Sequence, residues 1–270
     1  MLYRGMDKAA LDAAYNIAAA TGLERRERLM TDWTARSAAL AEQVGARRDL
    51  RYGDGPRNRL DFYPCGREDA PTLVFVHGGY WQFSDKENYG FLAAGSLAHG
   101  INVALPEYTL APAIGIDGIV AEVRHALQWL RTGIATEFVV AGHSAGGHLA
   151  AMVMDEPGVV GVLAISGLFD LEPIRLSFLN DKIGMDEEAA LRNSPLHRIP
   201  AKAPPITIAW GESELPELCR QSSDYADALK AAGLGVRRLT LDGHDHFSLL
   251  EELASPEGKL TAAVRELARS

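Results

Sequence analysis

Four short stretches carry residue types that could together run acyl transfer. The first is Gly142-His143-Ser144-Ala145-Gly146, a serine with a glycine two places to either side. It stands between the apolar run Phe138-Val139-Val140 and an alanine-rich run that reads as a helix. A G-x-S-x-G turn in that setting forces the serine into a strained backbone conformation, and small residues at 142 and 146 let neighbouring backbone pass. The hydroxyl then sits at a helix N-terminus, where the dipole favours negative charge. The Ala145 N–H points at the same spot and can donate to an oxyanion.

A serine hydroxyl is a weak nucleophile until a base takes its proton. In a chain ordered this way the base follows the last strand. There Gly243-His244-Asp245-His246-Phe247 supplies two imidazoles. His246 is preferred to His244, because it abuts Phe247 and the helical pattern that begins there. The acid that orients the base and stabilises its charged form belongs after the penultimate strand. Glu212, Glu214 and Glu217 all lie in that stretch, with no aspartate. Glu214 stands at the tip of the strand-end loop and is preferred. Glu212, nearer the strand, and Glu217, at the start of the next helix, remain alternatives. Finally, His77-Gly78-Gly79-Tyr80-Trp81 follows an early apolar strand. Its paired glycines let backbone N–H groups face a developing oxyanion, each such donor being worth about 3–4 kcal/mol.

These parts require strand ends to hold them. From Thr72 onward, strand-like runs (TLVFV, INVAL, FVVAG, VGVLAIS, ITIAW, VRRLTL) alternate with helical ones. Most are nearly continuous in apolar residues, as strands covered on both faces must be. In the helical run 116–133, Ile119, Val123, Ala126, Leu127 and Leu130 fall on one stripe, the spacing of a buried helix face. The alternation predicts an α/β fold with a mostly parallel, mixed sheet and helices on both faces. RRDLRYG and NRLDFYP, joined through GDGP, add a strand pair near a sheet edge. Residues 1–45 read as helical, split at Gly22. Residues 167–203 have little strand character and read as a small helical excursion over the C-terminal edge of the sheet. One domain spanning 1–270 accommodates all of this, and open α/β sheets place their sites at such strand ends.

Composition narrows the class. The 270 residues are 47% hydrophobic and carry a net charge of −9. With no basic run, neither nucleic acid nor an anionic membrane is an expected partner. No apolar run reaches the roughly 20 residues of a membrane-spanning helix. The first residues lack the basic-then-apolar order of a secretory signal. Cys65 and Cys219 lie far apart, so two reduced thiols and a cytoplasmic setting are expected.

The HGGYW loop, the GHSAG turn and the HDHF stretch together resemble the arylformamidase (kynurenine formamidase) branch of the α/β-hydrolases. SGLFDLEPI, NSPL and ELPELCRQS fit that branch too, and the resemblance runs from about Leu60 to Leu250. It implies an oxyanion hole from the N–H groups of Gly79 and Tyr80 with Ala145 as a third donor. It matches the acid to Glu214 and the base to His246. Related formamidases often have aspartate at the acid position, so the glutamate is a departure. The implied reaction is hydrolysis of a small acyl amide or ester, with an aromatic leaving group as in N-formylkynurenine. A general carboxylesterase shares every part, and a non-catalytic small-ligand-binding protein on the same scaffold is the third reading. No metal or organic cofactor is required, since the histidines lack a spacing such as H-E-x-x-H. Tyr80, Trp81 and Phe83 are expected to wall the pocket, with Tyr108 and Asn180 also lining it. His143 is expected to shape the turn and His148 to pack the helix. A homodimer through the edge strand or N-terminal helices is left open.

Overall fold

The strands are built on period-two burial. In the computed structural model, which describes residues 2–269, Leu73 and Phe75 enter one hydrophobic core while Val74 and Val76 enter another. Successive side chains on a strand point to opposite faces, so a strand apolar at every position must be covered on both sides. The same alternation divides Val139 and Ala141 from Val140, and Leu163 and Ile165 from Val162 and Ala164.

Among the described residues, one sheet holds β1 (Arg47–Arg51), β2 (Arg59–Tyr63), β3 (Thr72–Val76), β4 (Asn102–Pro106), β5 (Phe138–His143), β6 (Val159–Ile165), β7 (Ile206–Gly211) and β8 (Val236–Leu241). Their spatial order is β1-β2-β4-β3-β5-β6-β7-β8. β2 pairs antiparallel with both β1 and β4, and every other pairing is parallel. The expected mixed, mostly parallel sheet is present, and the β1–β2 pair lies at one edge. Arg47, Arg48, Asp49 and Arg51 of β1 and Arg237 and Arg238 of β8 are exposed. Charge along both outer strands discourages pairing with another chain.

Three helices precede the sheet: α1 (Lys8–Ala14), α2 (Ile17–Thr21) and α3 (Leu23–Gln43). Gly22, at φ +81°, separates α2 from α3 as expected, and a further break at Tyr15-Asn16 divides α1 from α2. The Asp7 and Asn16 side chains cap α1 and α2 by accepting from Ala10 and Ala19 N–H groups at 2.9 and 3.0 Å. Next come α4 (Ala93–Ala98), α5 (Ile116–Gly133) and α6 (Ala145–Met152). The α5 stripe Ile119, Val123, Ala126, Leu127 and Leu130 is fully buried. Each large side chain so buried contributes about 1.5–3 kcal/mol. Between β6 and β7 lie α7 (Glu172–Leu176), α8 (Asn180–Ile183), α9 (Glu187–Arg192) and a 3₁₀ turn at Pro195–His197. The chain then forms α10 (Pro216–Ala231), α11 (Glu251–Ala254) and α12 (Lys259–Leu267).

The N-terminal helices are tied to the strand ends that matter. Tyr15 Oη donates to Glu217 at 2.9 Å, and Arg25 pairs with Asp245 in the loop after β8 at 2.5 Å. Arg36 grips Glu251 of α11 through two bonds of 2.8 Å, a bidentate geometry stronger than a single ion pair. No helix among the described residues is long and apolar enough to cross a membrane.

Candidate active site

Ser144 sits between β5 and α6 at φ +58°, ψ −122°. A non-glycine residue is held there only when its surroundings over-determine it. Three glycines supply those surroundings. A Cβ on Gly142 would lie 2.1 Å from the Gly146 carbonyl oxygen, and one on Gly146 would lie 2.0 Å from that of Val76. One on Gly78 would stand 2.7 Å from the His143 oxygen and 3.0 Å from the Ser144 Cβ. Strand, turn and helix thus meet backbone to backbone, and the Ser144 N–H donates to the Ile165 oxygen at 2.8 Å.

After β8, the loop turns His246 inward. Its Nδ1 lies 2.6 Å from Glu214 Oε2. A carboxylate only accepts, so Nδ1 carries the proton, and Nε2 is the acceptor of the neutral ring. The other Glu214 oxygen accepts from Ser166 Oγ at 2.5 Å and from the Gly211 N–H at 2.7 Å. The Glu214 carboxylate is therefore held by three donors, Ser166 just after β6, Gly211 of β7 and His246 in the loop after β8. Glu212 is exposed, while Glu217 is engaged by Arg220 and Tyr15. His244 faces Glu252 at 3.4 Å. Neither these acids nor His244 join the cluster.

Ser144, His246, His143, Gly79 and Tyr80 line one cavity of about 180 Å³. Among the described residues no hydrogen bond joins Ser144 Oγ to His246. Such bonds are commonly loose without substrate and tighten in the complex. The N–H groups of Gly79, Tyr80 and Ala145 have no acceptor among the described residues. Gly79, Tyr80 and Trp81 all have positive φ, at 105°, 49° and 59°. This left-handed run is secured where Gln82 and Phe83 N–H groups both donate to the Gly79 oxygen, at 2.9 and 3.0 Å. A larger depression of about 610 Å³ lies near Thr72 and Phe138, at the opposite strand ends, and contains none of these groups.

Beneath the Gly78–Trp81 loop is an ionic anchor that sequence reasoning did not find. His77 bonds Glu107 through Nε2 at 2.7 Å and the Gly78 oxygen through Nδ1 at 2.8 Å. Arg57 pairs with the same Glu107 at 2.7 Å. Burial pushes the Glu107 carboxyl up, but His77, Arg57 and the Lys86 N–H outweigh it and bring it down to about 2. Arg57 lies in a turn and Glu107 follows an ordinary strand, so neither position signals this role. Asp85, Glu87 and Glu107 gather carboxylate oxygens within 4.8 Å of one another, and Arg57, Arg59 and Lys86 already pair with them.

The expected pocket walls need correction. Phe83 and Tyr80 line the cavity, but Trp81, Tyr108 and Asn180 do not. Trp81 is fully buried with its ring edge-on to His148 at 5.0 Å. Tyr108 stacks on His77 at 4.3 Å and donates to the His77 oxygen. The Asn180 side chain closes its own helical turn by bonding the Met185 backbone. Loop burial and local hydrogen bonding claim all three. In their place stand Ile17, Arg26 and Met30 of the N-terminal helices and Tyr15 in the break between α1 and α2, with Phe178, Leu179 and Phe247. The amphipathic pattern of those helices was the available signal, and it reads equally well as simple core packing.

His143 is buried with its ring 4.4 Å from that of His246. Burial, then the neighbouring His246, push its imidazole well below the ordinary range. Burial likewise lowers His148 from 6.5 to about 4, opposed only in part by its bond to the Asn193 oxygen. The unfolded chain therefore binds these protons more readily than the folded one. Stability from this source is complete above about pH 6.5 and falls as the pH drops through that value. The urea midpoint should fall between about pH 6.5 and 5, before carboxylates titrate. His148→Gln should make that slope shallower, and an unaltered slope would reject the assignment.

Comparison with known proteins agrees with this architecture. The BD-FAE family model matches residues 60–159. A kynurenine formamidase of Danio rerio is 35% identical over 230 residues, covering 79% of this chain and 78% of that protein. One from Salmo salar is 33% identical over 250 residues, covering 86% and 84%. The crystal structure of a putative thioesterase from Silicibacter sp. TM1040 is 32% identical, with a TM-score of 0.86 over 94% of this chain and 98% of that one. Identity and fold extend together across most of each relative, so the chain is a hydrolase of the α/β-hydrolase type and belongs to the kynurenine formamidase family.

Proposed function

We propose that the protein hydrolyses aryl formamides of the N-formylkynurenine type, with Ser144, His246 and Glu214 as nucleophile, base and acid. The observation that carries this reading is the Glu214–His246 pair opening into the same small cavity as the positive-φ serine. His246 Nε2 takes the Ser144 proton as Oγ attacks the formyl carbon. The N–H groups of Gly79, Tyr80 and Ala145 hold the resulting oxyanion. The imidazolium, steadied by Glu214, then protonates the departing arylamine, leaving a formyl ester on Ser144. Water, deprotonated by His246, attacks that ester and releases formate.

A cavity of about 180 Å³ with mainly apolar walls suits a one-carbon acyl group and a flat aromatic leaving group. The names of the Danio rerio and Salmo salar relatives support the same substrate class. A carboxylesterase is the second reading, since the relatives include an esterase LipC of Mycobacterium tuberculosis, 27% identical over 87% of this chain and 70% of that protein. The ratio of kcat/KM for N-formylkynurenine to that for p-nitrophenyl acetate decides between them. The formamide should be preferred, and an ester preference of about tenfold or more would give the site to esters. The free thiols of Cys65 and Cys219 fit a cytoplasmic setting.

A further inference from the structure

Two cations that no acid neutralises approach the Phe83 ring of this cavity, one of them lining it. Arg26, half-buried on α3, lines the cavity, with its guanidinium carbon 5.7 Å from the centre of the Phe83 ring. Lys182 of α8 approaches the same ring, with Nζ at 5.2 Å. Among the described residues neither side chain has an ion-pair partner. Neighbouring cations on α3 behave differently. Arg25 pairs with Asp245, Arg28 with Glu24, and Arg36 with Asp32 and Glu251. The chain has 36 acids for 27 lysines and arginines, so acids to pair with are plentiful. Other cations among the described residues also lack an ion-pair partner; what sets Arg26 and Lys182 apart is that both approach one exposed ring lining the cavity.

The ring between them is itself unusual. Phe83 is 41% exposed and Phe178 37% exposed, and both line the cavity. Phe83 is also tied by its N–H to the Gly79 oxygen at 3.0 Å, so it connects the oxyanion loop directly to the two cations. The cavity that holds Ser144 is lined by the Gly79–Tyr80 backbone, by the aromatic rings of Phe83 and Phe178 and by Arg26. A ligand complementary to that lining has an acyl carbonyl, a flat apolar body and an anion. Guanidinium and carboxylate form the stronger class of charge-assisted hydrogen bond, above all where water is partly excluded.

We propose that Arg26, assisted by Lys182, is the specificity-determining end of the site and selects substrates whose aromatic leaving group bears a carboxylate. The inference rests on the hydrolase reading above and adds the substrate class within it. The test is the ratio of kcat/KM for N-formylkynurenine to that for the uncharged formanilide. In the double variant Arg26→Gln/Lys182→Gln this ratio should fall about 10- to 100-fold, mainly through KM. The control Arg28→Gln, on an exposed residue paired elsewhere, should leave it alone. A ratio kept within about twofold in the double variant would overturn the proposal.

A second pair separates this claim from the choice of scissile bond: 3-(4-acetoxyphenyl)propanoate against 4-ethylphenyl acetate. If formamides are not cleaved but the charged ester is preferred and loses that preference in the double variant, the formamidase reading falls and the anion site stands. If formamides are cleaved with no charge preference in either pair, the anion site falls and the formamidase reading stands. Calorimetry on Ser144→Ala protein gives the answer without turnover. 4-Phenylbutanoate should bind about tenfold more tightly than 4-phenylbutanamide. Adding Arg26→Gln and Lys182→Gln should abolish the difference, and equal binding before those changes would refute the site.

Discussion

Ser144→Ala should lower kcat by roughly 10⁴–10⁶-fold and leave the folded structure in place. The substitution deletes one oxygen and nothing else. Cβ keeps its position 3.0 Å from where a Gly78 side chain would begin, and the backbone bonds from Ser144 N–H to Ile165 and from His148 N–H to Ser144 persist. The φ of +58° is no harder for alanine than for serine, since both carry the same Cβ. The remaining activity would come from the N–H donors and from binding, which hold the substrate without attacking it. Single-turnover kinetics together with a thermal melt check both halves. A variant retaining more than about a tenth of the wild-type rate would remove Ser144 from the chemistry.

Glu214→Gln should cost about 10³–10⁴ in kcat, whereas Glu212→Gln should be nearly silent. The reason is an imbalance of donors. Ser166, the Gly211 N–H and His246 Nδ1–H all point at the Glu214 carboxylate. Glutamine has one accepting oxygen, and its amide would turn N–H groups toward at least one of those donors. His246 would then lose the partner that fixes its tautomer, and the imidazolium formed during attack would lose its counter-charge. Glu212 is exposed and makes no such contact. Rates measured for both variants on one substrate decide the matter, and a large loss at Glu212 with little at Glu214 would move the acid.

The parts of the molecule that were readable beforehand share a physical trait: they obey a local rule. The β3 and β5 runs are apolar at nearly every position because both sheet faces are covered, and α5 shows its stripe because one face is buried. The serine turn announces itself through glycines that close backbone contact makes obligatory. Spatial strand order is different, because β4 lies outside β3 although it follows it in the chain. The pocket wall was harder still. Trp81 and Tyr108 sit beside the relevant loops, yet their rings pack on His148 and His77 instead of facing the cavity. The residues that do face it include Tyr15 and Arg26, more than 110 positions before Ser144 in the chain. Nothing local in a sequence marks a contact that only the assembled sheet creates. The Arg57–Glu107–His77 anchor was hidden for the same reason, since nothing local to Arg57 or Glu107 ties either to the loop that His77 heads.

The glycine contacts around the serine have an implication for laboratory evolution of this enzyme. With carbonyl oxygens about 2 Å from where a methyl group would stand at positions 142 and 146, libraries randomised there would return mostly misfolded protein. Ile17 and Met30 carry side chains on helices outside the sheet, Tyr15 lies in the break between two of them, and all three shape the same chamber. New substrate preferences are best sought by diversifying Ile17 and Met30 of that wall, since Tyr15 also bonds Glu217 and Gln221.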